Sequence, residues 1–263
     1  MRSNAVVLAM FLTAGVAVGT CMAGTRLDRV RNGGTLRVCM WPDYYAITYR
    51  NPRTGELQGV DIDLARAFAH DLGARVEFVA SSFERFSDDL LADHCDVGMS
   101  AIGITPERAK RVAFTDPYLR SGIYAVTTRT HPRVRGWQDI DRDGVVVAVQ
   151  KGSFIETFAR TTLKAAAVVA VSRPRGREDE VQSGRADAFL TDFPYGQRML
   201  AFHAWARLIE PEAPVQATPY AYAVAPGDPA WLERVNAFVA AVKADRRLAT
   251  FAARHGLTPI LAD

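Results

Sequence analysis

Between Thr35 and Asp192 the chain alternates short strand-like runs with helical ones, and this alternation restricts the fold more than any other feature. Thr35-Leu36-Arg37-Val38-Cys39-Met40 reads as a strand. Asp61 to Ala69 reads as the start of a helix behind an aspartate cap, with Leu64, Phe68 and Leu72 at helical spacing and Gly73 as its stop. Arg75 to Val79 alternates as a second strand, Phe83 to Ala92 predicts another helix, and Asp96 to Met99 supplies a third strand. A second set begins at Val145-Val146-Val147-Ala148-Val149, whose β-branched and small residues suit a strand buried on both faces. A helix from Phe154 to Leu163 follows, then a helix stopped by Gly184, then a short strand from Ala188 to Thr191 that delivers Asp192 to the sheet edge. Elements alternating at these lengths predict an α/β fold of βαβ units around mostly parallel sheets. In the last third, Tyr220 to Ala225 is strand-like, and Pro226-Gly227-Asp228-Pro229 caps a helix in which Leu232, Val235, Phe238, Val239 and Val242 form an apolar face. Placed after a complete second set, this segment can return to the first.

The 263 residues suffice for one large domain or two ordinary lobes, and 49% hydrophobic with 23% charged residues is a globular balance. The formal charge of +3 is spread along the chain and interleaved with acids, so no nucleic-acid footprint is expected. The basic run Arg173-Pro174-Arg175-Gly176-Arg177 reads as an exposed loop. Arg2 ahead of an apolar run from Ala5 to Val18, with small residues after it, reads as a secretory signal over residues 1–23. Cleavage after Ala23 would release a soluble exported protein. The competing Val18-Gly19-Thr20-Cys21 is an imperfect lipobox that would anchor the chain through Cys21. In an oxidising compartment the remaining pair, Cys39 and Cys95, is either a disulfide or two small buried thiols on neighbouring strands. The five histidines show no ligand spacing, and there is no phosphate loop, nucleophile with a base, or cofactor fingerprint, so neither a metal nor a cofactor is expected.

The chemistry concentrates in Met99-Ser100-Ala101-Ile102-Gly103-Ile104-Thr105-Pro106-Glu107-Arg108. An apolar strand here ends in small residues, whose backbone N–H groups an anion can approach, and then delivers an arginine able to grip both oxygens of a carboxylate. The bland reading is a solvated arginine in a first helical turn. Gly152-Ser153 ahead of the helix at Phe154 offers backbone donors at a helix N-terminus, a second half for a carboxylate clamp. Asp192 lies at the strand edge where open α/β sheets bind ligands.

In order and spacing, Leu36-Arg37-Val38, Gly59 to Ala65, Asp96 to Ser100, Ile104 to Arg108, Phe114-Thr115-Asp116-Pro117-Tyr118, Gly184 to Ala188 and Asp192 together resemble the extracellular solute-binding proteins of polar amino-acid uptake systems. The resemblance implies a two-lobed periplasmic-binding-protein-like fold whose lobes are joined by two crossing strands. By that analogy lobe one spans 35–122 and 216–263, and lobe two spans 123–215. It implies a monomeric receptor that binds a small amino acid or carboxylate between the lobes and presents the closed form to a membrane ABC permease. Carried over by position, it puts the ligand α-carboxylate on Arg108, assisted by backbone near Ser100, Gly103 and Ser153, and the α-ammonium on Asp192. Trp41, Tyr44 and Phe83 fall where such proteins face the ligand side chain, and Trp41 replaces the acid that matches a cationic ligand, which argues against lysine or arginine. Gly103 and Phe154 stand where a hydroxyl and a threonine are common, so Phe154 narrows the cleft. Two further resemblances give alternatives. Cyclohexadienyl dehydratases share the scaffold, and Glu156 aligns with their catalytic acid, while Asp43-Tyr44 and Tyr49-Arg50 are similar to their first loop. Leu36 to Cys39 with Cys95 to Val97 is similar to binding-protein-like partners of periplasmic quinoprotein dehydrogenases.

Overall fold

A computed structural model describes residues 25–172 and 176–262; the leader, Cys21 and Arg173 to Arg175 of the basic run lie outside the described residues. Lobe one begins with α1 (Arg26–Gly33) and β1 (Thr35–Met40). A small antiparallel sheet follows, formed by β2 (Asp43–Tyr44), β3 (Thr48–Arg50) and β4 (Leu57–Gln58). Then come α2 (Val60–Asp71), β5 (Arg75–Ala80), α3 (Phe86–Leu91), β6 (Val97–Gly103), α4 (Pro106–Ala109), β7 (Ala113–Phe114) and β8 (Leu119–Ser121). β1 lies parallel between β5 and β6, and the Cys39–Cys95 disulfide, with Cα atoms 5.6 Å apart, ties this parallel core to the loop entering β6.

Lobe two contains β9 (Ile123–Thr128), β10 (Val146–Gln150), α5 (Phe154–Thr162), β11 (Ala167–Val171), α6 (Gly176–Gln182), β12 (Ala188–Asp192), α7 (Phe193–Phe202) and β13 (Ala206–Ile209). Its sheet order is β11-β10-β12-β9-β13. The chain then returns through β14 (Thr218–Val224), α8 (Pro229–Ala244) and α9 (Arg247–Arg254), and β14 completes the first sheet in the order β5-β1-β6-β14-β7. Both sheets are mixed. Each has three parallel strands made by βαβ units, while β9 and β14, which enter straight from the other lobe without a crossover helix, run antiparallel. The crossing segments pair with each other, Ser121 opposite Thr218 and the Ile123 N–H donating to the Val215 carbonyl at 2.9 Å.

The helical spacing read at Leu64 and Phe68 corresponds to fully buried side chains, but Asp61 is not a cap. Gly59 occupies that position at φ +132°, where a Cβ would lie 2.3 Å from the Ile47 carbonyl oxygen, so no other residue fits. Asp61 points into the core, 1% exposed, and accepts from the Ala101 N–H at 2.8 Å, the Tyr118 hydroxyl at 2.6 Å and the Tyr222 hydroxyl at 3.1 Å. The group it holds is unusual. Between Gly98, opposite Ala223, and Ile102, opposite Ala221, β6 carries extra residues that bulge, and Ala101 adopts φ +44°. A non-glycine residue there costs about 1–2 kcal/mol, and the hydrogen bond that the Ala101 N–H donates to the buried carboxylate offsets it. Two further expectations shift. The helix read from Phe83 begins only at Phe86, which leaves Phe83 on a loop. On α8, Trp231 is fully buried while Leu232 is only partly so, and the Trp231 indole donates to the Asp96 carbonyl at 2.8 Å.

The lobes meet at Gly152 and Glu84. Gly152 has φ +73°, and a Cβ on it would lie 2.8 Å from the Glu84 nitrogen and 2.9 Å from its Cα, backbone atoms that cannot swing aside. Gly152→Ala should hold the lobes apart, seen as a longer distance between spin labels on the two lobes; an unchanged distance distribution would show that this contact does not set closure.

Burial raises the Asp61 carboxyl to about 6 in spite of its three hydrogen bonds. The folded chain therefore keeps a proton that the unfolded chain releases between pH ~4 and 6. Its contribution is largest below that window, declines by about 3 kcal/mol as pH rises through it, and is flat above. Denaturation of Asp61→Asn against pH should lack this decline, and a profile parallel to the parent's would refute the assignment.

Candidate functional site

The ends of β6, β10 and β12 converge where the two lobes close. Thr105 caps α4 by accepting from the Arg108 N–H at 3.2 Å, and Pro106 takes the first helical position, so the turn aims Arg108 across the seam. Its guanidinium donates to the Gly103 carbonyl of lobe one at 2.8 Å and to the Gly152 carbonyl of lobe two at 2.9 Å. Its carbon lies 5.8 Å from the centre of the Phe83 ring and 5.2 Å from that of Phe86. Burial pushes its pKa down to about 10, which leaves it charged at neutral pH. Among the described residues no carboxylate stands within ion-pair distance of it.

Of the residues singled out in the sequence, Trp41, Tyr44, Phe83, Arg108, Ser153, Phe154 and Asp192 line one cavity. Ser100 and Gly103 do not; Ala101, on the bulge between them, lines it instead. The Ser100 hydroxyl accepts from the Trp41 N–H at 3.2 Å and pairs with the Thr48 hydroxyl at 2.9 Å, so it positions Trp41 from behind. Ser153 reaches the cavity, but as a donor it is spent: its N–H and its hydroxyl both go to the Gln150 carbonyl, at 3.2 and 2.6 Å, and the hydroxyl oxygen caps α5 through the Glu156 N–H. The turn thus closes on itself rather than offering Ser153 donors to an anion.

Aromatic rings fill most of the space. Trp41 lies 5.2 Å from Phe83 and 5.8 Å from Tyr44, and Tyr44 meets Phe83 edge-on at 5.6 Å. Phe154 enters from lobe two and packs on Gly103; a Cβ there would sit 2.8 Å from the Phe154 ring. The absence of a side chain at 103 is what makes room for the Phe154 ring. The cavity measures about 20 Å³, on the order of one water molecule.

Asp192 ends β12 and is 3% exposed. One of its oxygens accepts from the Tyr44 hydroxyl and, at 2.9 Å, from the Tyr220 hydroxyl; the other accepts from the Tyr195 N–H at 3.3 Å, capping α7. Burial raises its pKa, and the same burial raises those of Tyr44 and Tyr220 well above the ordinary phenol value. Tyr220 is a site residue that the sequence did not mark, because its run reads only as a strand.

Arg177 overturns the reading of its run as an exposed loop. It is 4% exposed and lines the cavity, with Nη1 donating to the Leu190 carbonyl at 3.2 Å and the Thr191 hydroxyl at 3.3 Å. Its carbon sits 4.2 Å above the Tyr195 ring. Glu156 lies outside the cavity lining, accepting from the Gly152 N–H at 2.8 Å and pairing with Arg160 at 2.9 Å.

Comparison with known proteins agrees with this architecture. The model of the bacterial extracellular solute-binding proteins, family 3, matches residues 36–258. The cyclohexadienyl dehydratase of Pseudomonas aeruginosa is 32% identical over 213 residues, 81% of this chain and 79% of its own length. The L-cystine-binding protein TcyJ of Escherichia coli is 26% identical over 71% of this chain and 69% of its own. The crystal structure of the ancestral amino acid-binding protein AncCDT-1, a precursor of cyclohexadienyl dehydratase, superposes with a TM-score of 0.80 at 31% identity, covering 87% of this chain and 98% of that one. A match over most of its length, carried on two mixed sheets with a cavity between them, places the chain in the bacterial extracellular solute-binding proteins, family 3.

Proposed function

We propose that the protein is a periplasmic receptor that captures an amino acid or similar small carboxylate between its lobes and presents the closed form, as a monomer, to a membrane ABC permease. Arg108 carries the reading: a half-buried arginine whose guanidinium bridges both lobes through neutral carbonyls and has no acidic partner among the described residues. A ligand carboxylate supplies the missing charge, and it does so best with the lobes shut, so binding favours closure by differential contact. Trp41 and Phe83 would flank an apolar or flat ligand body, and Asp192 would take an amine in exchange for the Tyr44 hydroxyl. A cationic side chain would meet two arginines, Arg108 and the buried Arg177, which argues against lysine and arginine as cargo. Among the described residues no helix is long and apolar enough to cross a membrane.

The likeness to a dehydratase supports a second reading, in which Glu156 protonates a leaving hydroxyl. In the closed form that carboxylate is turned to the Gly152 N–H and Arg160, which favours the receptor.

Calorimetry of the mature protein against amino acids and small carboxylic acids tests both. Arg108→Met should fold and lose at least about 100-fold in affinity; retained affinity would remove the site. Asp192→Asn should weaken amine-bearing ligands more than their amine-free counterparts, and an equal loss would contradict its role. Prephenate should be recovered unchanged by mass spectrometry, whereas turnover that Glu156→Gln abolishes would replace the receptor by an enzyme.

A further inference from the structure

Two buried arginines stack on one ring, and only one of them is neutralised. Tyr195 lies with the Arg198 carbon 4.8 Å and the Arg177 carbon 4.2 Å from its centre. Arg198 has acidic partners, Glu178 at 3.3 Å and Asp43 at 3.8 Å, and Glu178 also accepts from the Tyr195 hydroxyl at 2.8 Å. Arg177 has none within ion-pair distance among the described residues. Its protein acceptors are the Leu190 carbonyl and the Thr191 hydroxyl, both reached by Nη1, which leaves the donors on Nε and Nη2 without an acceptor among those residues. The side chain is more than nine-tenths buried and borders the same cavity as Arg108. Contact with the Tyr195 and Phe189 rings steadies a buried cation without cancelling its charge. The cavity thus holds two guanidinium charges against a single carboxylate, Asp192, which three donors already serve.

We propose that Arg177 receives a second acidic group of the ligand, so that the receptor takes small molecules carrying two carboxylates, one on Arg108 and one on Arg177. The proposal rests on the receptor reading above and narrows it. With both acids bound, each buried guanidinium gains the planar partner that its free N–H donors fit. A monoacid leaves Arg177 desolvated and unpaired, which the site disfavours as strongly as it favours the diacid. The alternative is that Arg177 only balances Asp192 at a distance.

The test compares isosteric pairs differing by one charge, L-glutamate with L-glutamine and glutarate with its monoamide, together with prephenate as a larger diacid, by titration calorimetry. Each diacid should bind about 100-fold more tightly than its amide. Arg177→Gln should collapse that ratio to within about threefold, and Arg177→Lys, which keeps the charge but not the planar fork, should retain about tenfold. The lysine variant also guards against loss of packing on Tyr195, as does the melting temperature of each variant without ligand. A ratio near one in the parent, or a ratio that Arg177→Gln leaves intact, overturns the proposal while binding of the monoacids keeps the receptor standing. If neither diacids nor monoacids bind, both readings fall.

Discussion

Asp61 is the fixed point around which the cleft is organised. One buried carboxylate joins α2, the bulge of β6, β14 and the chain around Tyr118, through an N–H and two tyrosine hydroxyls. Without it Ala101 would have little reason to stay in the left-handed region, and β6 would continue as a regular strand. The bulge turns Ala101 toward the cavity and places Ser100 behind Trp41. The carbonyl of Gly103 is then presented to Arg108, so the first lobe's half of the site descends from a core interaction.

Electrostatically the cleft is an unfinished structure. Buried charges elsewhere are met: Asp96 is paired with Arg26, Arg29 and Arg37, and Arg198 faces Glu178. In the seam, Arg108 and Arg177 meet carbonyls, a hydroxyl and aromatic faces but no carboxylate within ion-pair distance among the described residues. Leaving a charge desolvated without a counter-ion costs several kcal/mol, a cost that a fold bears where something outside the chain completes the pairing.

Much of the fold was legible because it rests on local periodicity. Leu64 and Phe68 at helical spacing, the β-branched run of β10 and the Thr105-Pro106 start of α4 each have a nearby physical cause, and Arg108 followed from that start. The misreadings came where distant segments decide. Asp61 has the position and chemistry of a cap, but the close approach of Ile47 reserves that place for Gly59. Arg177 sits in a run whose local charge suggests water, and only the fold brings Tyr195 and Phe189 over one of its arginines. Ser153 is a local case instead: it was read for its donors, and the turn it sits in uses them, through Gln150 three residues away.

The pairing of Phe154 with Gly103 divides recognition in time. One partner belongs to each lobe, so the wall they build exists only while the lobes are shut. On the proposed receptor reading, an open cleft would offer Arg108 to any small carboxylate, and shape would be tested only as Phe154 comes back onto Gly103. On that reading, molecules that fit and molecules that do not would arrive at similar rates and differ in how long they stay, so the protein would filter by residence rather than by capture.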